Sequence, residues 1–99
     1  MNERRFPTDC PSCGQVLKAS RFRCAECGTA VEGEFSLPLL ARLDPQEQVF
    51  VLNLLKSSGS LKEMARVYGV SYPTVRNRLD ALIEKVKSLQ AQAAEERED

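Results

Sequence analysis

Ninety-nine residues suit one ordinary domain or two very small ones, and fourteen Lys and Arg against fourteen Asp and Glu leave no formal net charge. The absence of histidine excludes mixed Cys/His metal sites and removes the commonest general base. No apolar run approaches the roughly twenty residues of a membrane span and no signal-peptide pattern opens the chain, so the expectation is a soluble cytoplasmic protein with no membrane role.

Met1 to Pro7 reads as a polar, basic lead-in that frays. The four cysteines follow as two matching pairs, Cys10-Pro11-Ser12-Cys13-Gly14 and Cys24-Ala25-Glu26-Cys27-Gly28. Four thiolates in two short knuckles suit a tetrahedral structural Zn²⁺, and iron also fits such a donor set. The glycine after each pair lets the chain turn back with positive φ. Disulfides are disfavoured in a cytoplasmic chain, and no βαβ pattern surrounds either pair as a redox motif would need. A zinc ribbon is therefore expected over 8–35, a segment too short to fold on its own core. Val16 to Ala19 and Arg21 to Arg23 read as short strands around a turn near Ser20, and Ala30 to Phe35 as a third strand. Val16, Phe22, Val31 and Phe35 are the expected small core. Arg21-Phe22-Arg23 also places an aromatic between two cations, a pattern that can meet RNA, although core is the better reading of Phe22.

Leu37-Pro38 breaks the strand pattern and opens a helical domain over 38–95. Pro38 to Leu43 can form a helical turn or two. Asp44, Pro45 and Glu47 have the spacing of a capping box with proline at the first helical position. The helix they start is expected to bury Val49, Phe50, Leu52, Leu54 and Leu55 and to stop near Ser58-Gly59. Ser60 with Glu63 predicts a second capping box. Leu61, Met64, Ala65 and Tyr68 share one face of the next helix, and Gly69 ends it. Ser71 caps a third helix that can run to the acidic tail. The fold class is thus α+β: a small β zinc ribbon, then an all-α helix-turn-helix bundle with a long C-terminal helix.

Ser60 to Leu82 has the form of a helix-turn-helix. Ala65 lets two helices cross closely, Gly69 makes the turn and Val70 plugs the angle. Val75 and Leu79 pack the second helix back onto Leu61 and Met64. Pro73 fits only in the first turn of that helix. Its outward face would carry Tyr72, Thr74, Arg76, Asn77 and Arg78. Arginine can bond guanine bidentately and asparagine can do so with adenine. Ser71 and Thr74 could bond phosphate at the helix N-terminus, and Lys62 and Arg66 could reach the backbone. The same apolar positions would serve a bundle that never touches DNA, with Arg76 and Arg78 solvated or paired with Asp80 or Glu84.

Val75, Leu79, Leu82, Val86, Leu89 and Ala93 alternate steps of four and three, an a/d seam. From Val86 onward this seam has no expected cover, which makes a homodimer through the C-terminal helix an expectation. Residues 60 to 88 are net basic and residues 89 to 99 net acidic.

The stretch from Gly59 to Leu79 resembles the DNA-binding helix-turn-helix of region four of housekeeping-type sigma factors and related response regulators. Sigma region four is usually more basic. The whole chain, through Cys10 to Gly28, Glu32 to Phe35 and Leu61 to Leu82, is similar to a prokaryotic domain-of-unknown-function family that joins a Cys-Pro-x-Cys-Gly zinc ribbon to this helix-turn-helix. The resemblance implies a role in transcription. The leading expectation is a small sequence-specific DNA-binding regulator with a structural zinc ribbon, the ribbon also serving to dock RNA polymerase or another protein. The alternative is an adaptor that acts on the transcription machinery through protein contacts alone. An enzyme is not expected: a closed four-thiolate zinc has no open position for water, and Asp9 and Glu26 read as surface charges.

Overall fold

The computed structural model describes residues 6–97; the start of the basic lead-in and the end of the acidic tail lie outside the described residues. The chain divides into two compact units, Met1–Arg42 and Leu43–Asp99.

In the first unit, β1 (Lys18–Arg23) and β2 (Ala30–Ser36) form a two-stranded antiparallel sheet. Lys18 faces Ser36 and Arg23 faces Ala30, with an irregularity between Ala19 and Arg21. The expected turn near Ser20 does not form: Ser20 lies inside β1, opposite a bulge in β2. β2 carries the extra residue: Gly33 and Glu34 together stand opposite Ser20, and the bulge lets β1 run through as one strand. Asp9 and Val16 make an isolated antiparallel bridge ahead of the sheet. The expected ribbon core does not form as such. Phe22 and Val31 are 51% and 54% exposed, and Val16 and Phe35 are half-buried. A two-stranded sheet has no second layer to bury a face against, so the rings of Phe22 and Phe35 pack on each other at 5.4 Å instead. A single 3-10 turn, Leu39–Arg42, follows.

The second unit holds α1 (Pro45–Lys56), α2 (Leu61–Tyr68) and α3 (Tyr72–Arg97). The expected capping box is present: Asp44 accepts from the Glu47 N–H, and the Asp44 N–H donates to the Glu47 carboxylate, both at 2.8 Å. Replacing Asp44 with Ala is expected to cost about 1 kcal/mol, read as a lower urea midpoint with an unchanged slope. Of the five apolar residues expected to be buried on α1, only Phe50 is; Leu54 is half-buried and Val49, Leu52 and Leu55 are exposed. The reason is the narrow contact surface: a 12-residue helix packed in a three-helix unit covers one stripe, and α1 is apolar on several.

Ser58 and Gly59 both take left-handed φ and reverse the chain between α1 and α2. Ser60 accepts from the Glu63 N–H at 3.1 Å. The Glu63 carboxylate bonds Arg66. Gly69, at φ 67°, turns α2 into α3. Leu61, Met64, Ala65, Val75 and Leu82 are buried, and with Leu43 and Phe50 they form the core. The seam of α3 is not open beyond Val86 as expected: Leu89 is buried, and Val86 and Ala93 are half-buried. No helix is long and apolar enough to cross a membrane among the described residues.

Candidate functional site

Each cysteine pair sits in a six-residue loop of the same build. The Cys10 N–H donates to the Gln15 carbonyl at 2.8 Å, and the Cys24 N–H to the Thr29 carbonyl at 2.7 Å. The Gly14 and Gly28 N–H groups return to the carbonyls of Cys10 and Cys24, at 2.8 and 2.9 Å. Both glycines need positive φ, 78° and 80°, to close these loops. In the first loop, the N–H groups of Ser12 and Cys13 point at the Cys10 sulfur, 3.3 and 3.5 Å away. They hold the Cys10 thiol below its ordinary range, Cys13 contributing most. In the second loop the Thr29 hydroxyl lies 3.0 Å from the Cys27 sulfur and lowers that thiol likewise. The thiolate is the form that ligates metal, so both loops favour the ligating state.

The structure brings Cys10 to Cys13 and Cys24 to Cys27. Among the described residues no three His, Cys, Asp or Glu side chains form one group that could hold a metal ion, so each loop presents its own pair of thiols. The donor chemistry fits a thiophilic metal, each loop offering two thiolates.

In the helical unit, the residues expected on the DNA face divide into distinct environments. Asn77 and Tyr72 are exposed. The Ser71 hydroxyl accepts from the Thr74 N–H at 3.3 Å and lies 2.9 Å from the Thr74 hydroxyl. These two side chains therefore cap α3, and their hydroxyls are engaged with each other. Lys62 is exposed and makes no ion pair among the described residues. Arg66 spends its fork on Glu63, through both Nε and a terminal nitrogen. That bonding holds the Glu63 carboxyl below the usual carboxylate range and raises Arg66. The pair's contribution is present above the ordinary carboxylate range and fades as pH falls through the lowered value.

Arg76 pairs with Asp80 at 3.3 Å, both side chains 53% exposed. Arg78 lies on another side of α3. Its guanidinium carbon stands 5.8 Å from the centre of the Tyr68 ring. It helps line a cleft of about 790 Å³ with Glu47, Phe50, Tyr68, Leu82 and Lys85. Tyr68 is fixed there by stacking on Phe50 and by accepting a 2.6 Å bond from the Asn53 amide. Lys85 is tied to Glu47 across α1 and α3. Sequence reasoning did not find this cleft, since its walls come from three helices. It did offer Asp80 as a partner for Arg76, from the i, i+4 spacing.

Two family models match the chain, and together they account for most of it. One is described as the DUF2089 zinc ribbon and matches residues 10–41. The other is described as "Domain of unknown function (DUF2089)-HTH" and matches residues 43–88. The chain belongs to this family. The junction between the two DUF2089 matches falls where the chain divides into its two compact units. No curated protein and no solved structure matches the chain.

Proposed function

We propose that this DUF2089 protein is a small sequence-specific DNA-binding transcriptional regulator acting in the cytoplasm by binding rather than by catalysis. The observation that carries the reading is the α2–Gly69–α3 corner. Ala65 and Val75 close it, and α3 presents Arg76 and Asn77 to solvent, with Lys62 exposed on α2. An arginine and an asparagine on one helix face suit the major-groove edges of guanine and adenine. Cys10, Cys13, Cys24 and Cys27 would hold one structural Zn²⁺, which supplies a cross-link that ties both loops together and leaves no open coordination position. The ribbon would then serve as a docking surface for RNA polymerase or another protein. Pairing of two copies through α3 would present two recognition helices to two half-sites; a monomer mass in sedimentation on duplex removes that part.

The test is a duplex selection on the metal-loaded protein, followed by affinity measurements across salt concentrations. The expected result is an enriched site whose log affinity falls linearly with log salt, and a slope reduced by about one in Lys62→Ala. No salt-sensitive duplex binding would reject the reading.

An adaptor that binds protein alone is the second reading. It is favoured by a specific observation: Val49, Leu52 and Leu55 lie exposed along α1, while Arg66 and Arg76 are already paired with carboxylates. A partner recovered after nuclease treatment and lost in Leu52→Asp would support it.

A further inference from the structure

A cleft of about 790 Å³ opens between α1, the end of α2 and α3, a volume that suits a small molecule. Phe50 and Leu82, both buried, give it an apolar floor. Pro45, Val49 and Ala81 carry apolar surface up to an exposed rim. The charged groups of the wall are engaged with their neighbours, with one exception. Lys85 is bonded to Glu47. Asp44 accepts the Glu47 N–H at the start of α1. Arg78 makes no hydrogen bond or ion pair among the described residues. Its guanidinium carbon stands 5.8 Å from the centre of the Tyr68 ring, and that ring is stacked on Phe50. Five N–H donors therefore stand beside an apolar hollow with no carboxylate of the protein on them.

We propose that this cleft binds a small monocarboxylate with an aromatic or branched apolar body, the carboxylate on the Arg78 fork and the body against Phe50, Tyr68 and Leu82. Guanidinium and carboxylate match as a bidentate pair. Charge separates this class from its neighbours. A neutral apolar molecule would cover Arg78 without giving it an acceptor. A cation would meet Arg78 and Lys85. A polyanion would exceed the one unpaired positive charge and meet Asp44 and Glu47. The site is also preformed. Tyr68 is fixed by its stacking on Phe50 and by the bond its hydroxyl accepts from Asn53, so binding need not order it. The proposal does not rest on the DNA-binding reading, and its test contains no duplex.

The experiment titrates phenylacetate and 4-methylpentanoate, and their neutral amides, into the full metal-loaded chain while its amide and side-chain signals are followed. At least one acid is expected to shift Phe50, Tyr68, Arg78 and Leu82 saturably. A Kd of about 1 mM or tighter is ordinary for a ligand of about ten non-hydrogen atoms. The matching amide is expected to bind about tenfold more weakly. Arg78 is exposed, so Arg78→Gln should fold; it is expected to lose about tenfold for the acid and nothing for the amide. Ala81→Leu fills the cleft from its exposed rim and is expected to weaken acid and amide alike, with an unchanged urea midpoint. Equal affinity for acid and amide, or for the native chain and Arg78→Gln, overturns the proposal. So do shifts that fall outside the cleft, and saturation by neither acid up to about 10 mM. Cleft signals that move with protein concentration alone would seat a second copy there and overturn it too. Duplex binding, present or absent, changes none of these outcomes.

Discussion

Removing the metal with a chelator, or replacing Cys27 with Ser, is expected to unfold the ribbon and leave the helical unit folded. No residue between positions 6 and 42 is buried, so the two strands have no apolar core to hold them. An isolated hairpin is marginal in water, and segments of this size usually need a cross-link. A structural zinc ion contributes about 10–16 kcal/mol of apparent binding free energy at pH 7 in small zinc-dependent folds, which far exceeds what this sheet could supply. The helical unit has its own buried residues, from Leu43 to Leu89, and none of the four thiols. Backbone amide spectra check this directly: after chelation the signals of Lys18–Ser36 should collapse to random-coil positions while those of Leu61–Leu82 keep their dispersion. Ribbon signals that survive chelation would mean that the strands are held by something other than the thiolates.

The second large effect is expected in the corner of the helix-turn-helix. Met64 is 1% exposed and Val75 is fully buried; they are the largest completely enclosed side chains among the described residues. Met64→Ala removes a buried side chain and leaves a cavity, at a cost of about 2–5 kcal/mol. Small domains have about 5–15 kcal/mol in total, so this variant should lose much or most of the stability of the helical unit. Leu55→Ala is the control. Leu55 is 69% exposed, and its loss should change stability by no more than about 0.5 kcal/mol. Urea unfolding followed by helix signal separates the two. Equal losses would mean that α1 is covered on the face that carries Leu55.

Much of the helical unit was legible because its signals are local chemistry. Asp44, Ser60 and Ser71 are short acceptors placed where the first N–H groups of a helix lack partners, and all three accept one, although the second box expected at Ser60 is only half made because Glu63 turns to Arg66. Gly69 stands where a left-handed residue must. The buried face of α2 was readable because Leu61, Met64 and Ala65 leave one apolar stripe between charged neighbours. On α1, Val49, Phe50, Val51, Leu52, Leu54 and Leu55 surround the helix, so periodicity alone cannot choose the face that packs. The ribbon failed for a different reason. Whether Ser20 turns the chain or continues a strand depends on which strand is available to pair, and the pairing of Phe22 with Val31 is not local. For the candidate site, the residue types on α3 were legible. The fate of each charge was not: Arg66, Arg76 and Arg78 differ only in which neighbour reaches them first.

The most direct test of the account is to add the selected duplex to the isotopically labelled, metal-loaded protein and follow its amide and side-chain signals. The account predicts that the largest shifts fall on Lys62 and on Tyr72 to Asp80, with the Arg76 guanidinium and the Asn77 amide among them. Shifts confined to the Val49, Leu52 and Leu55 face of α1, or to the two cysteine loops, would contradict it.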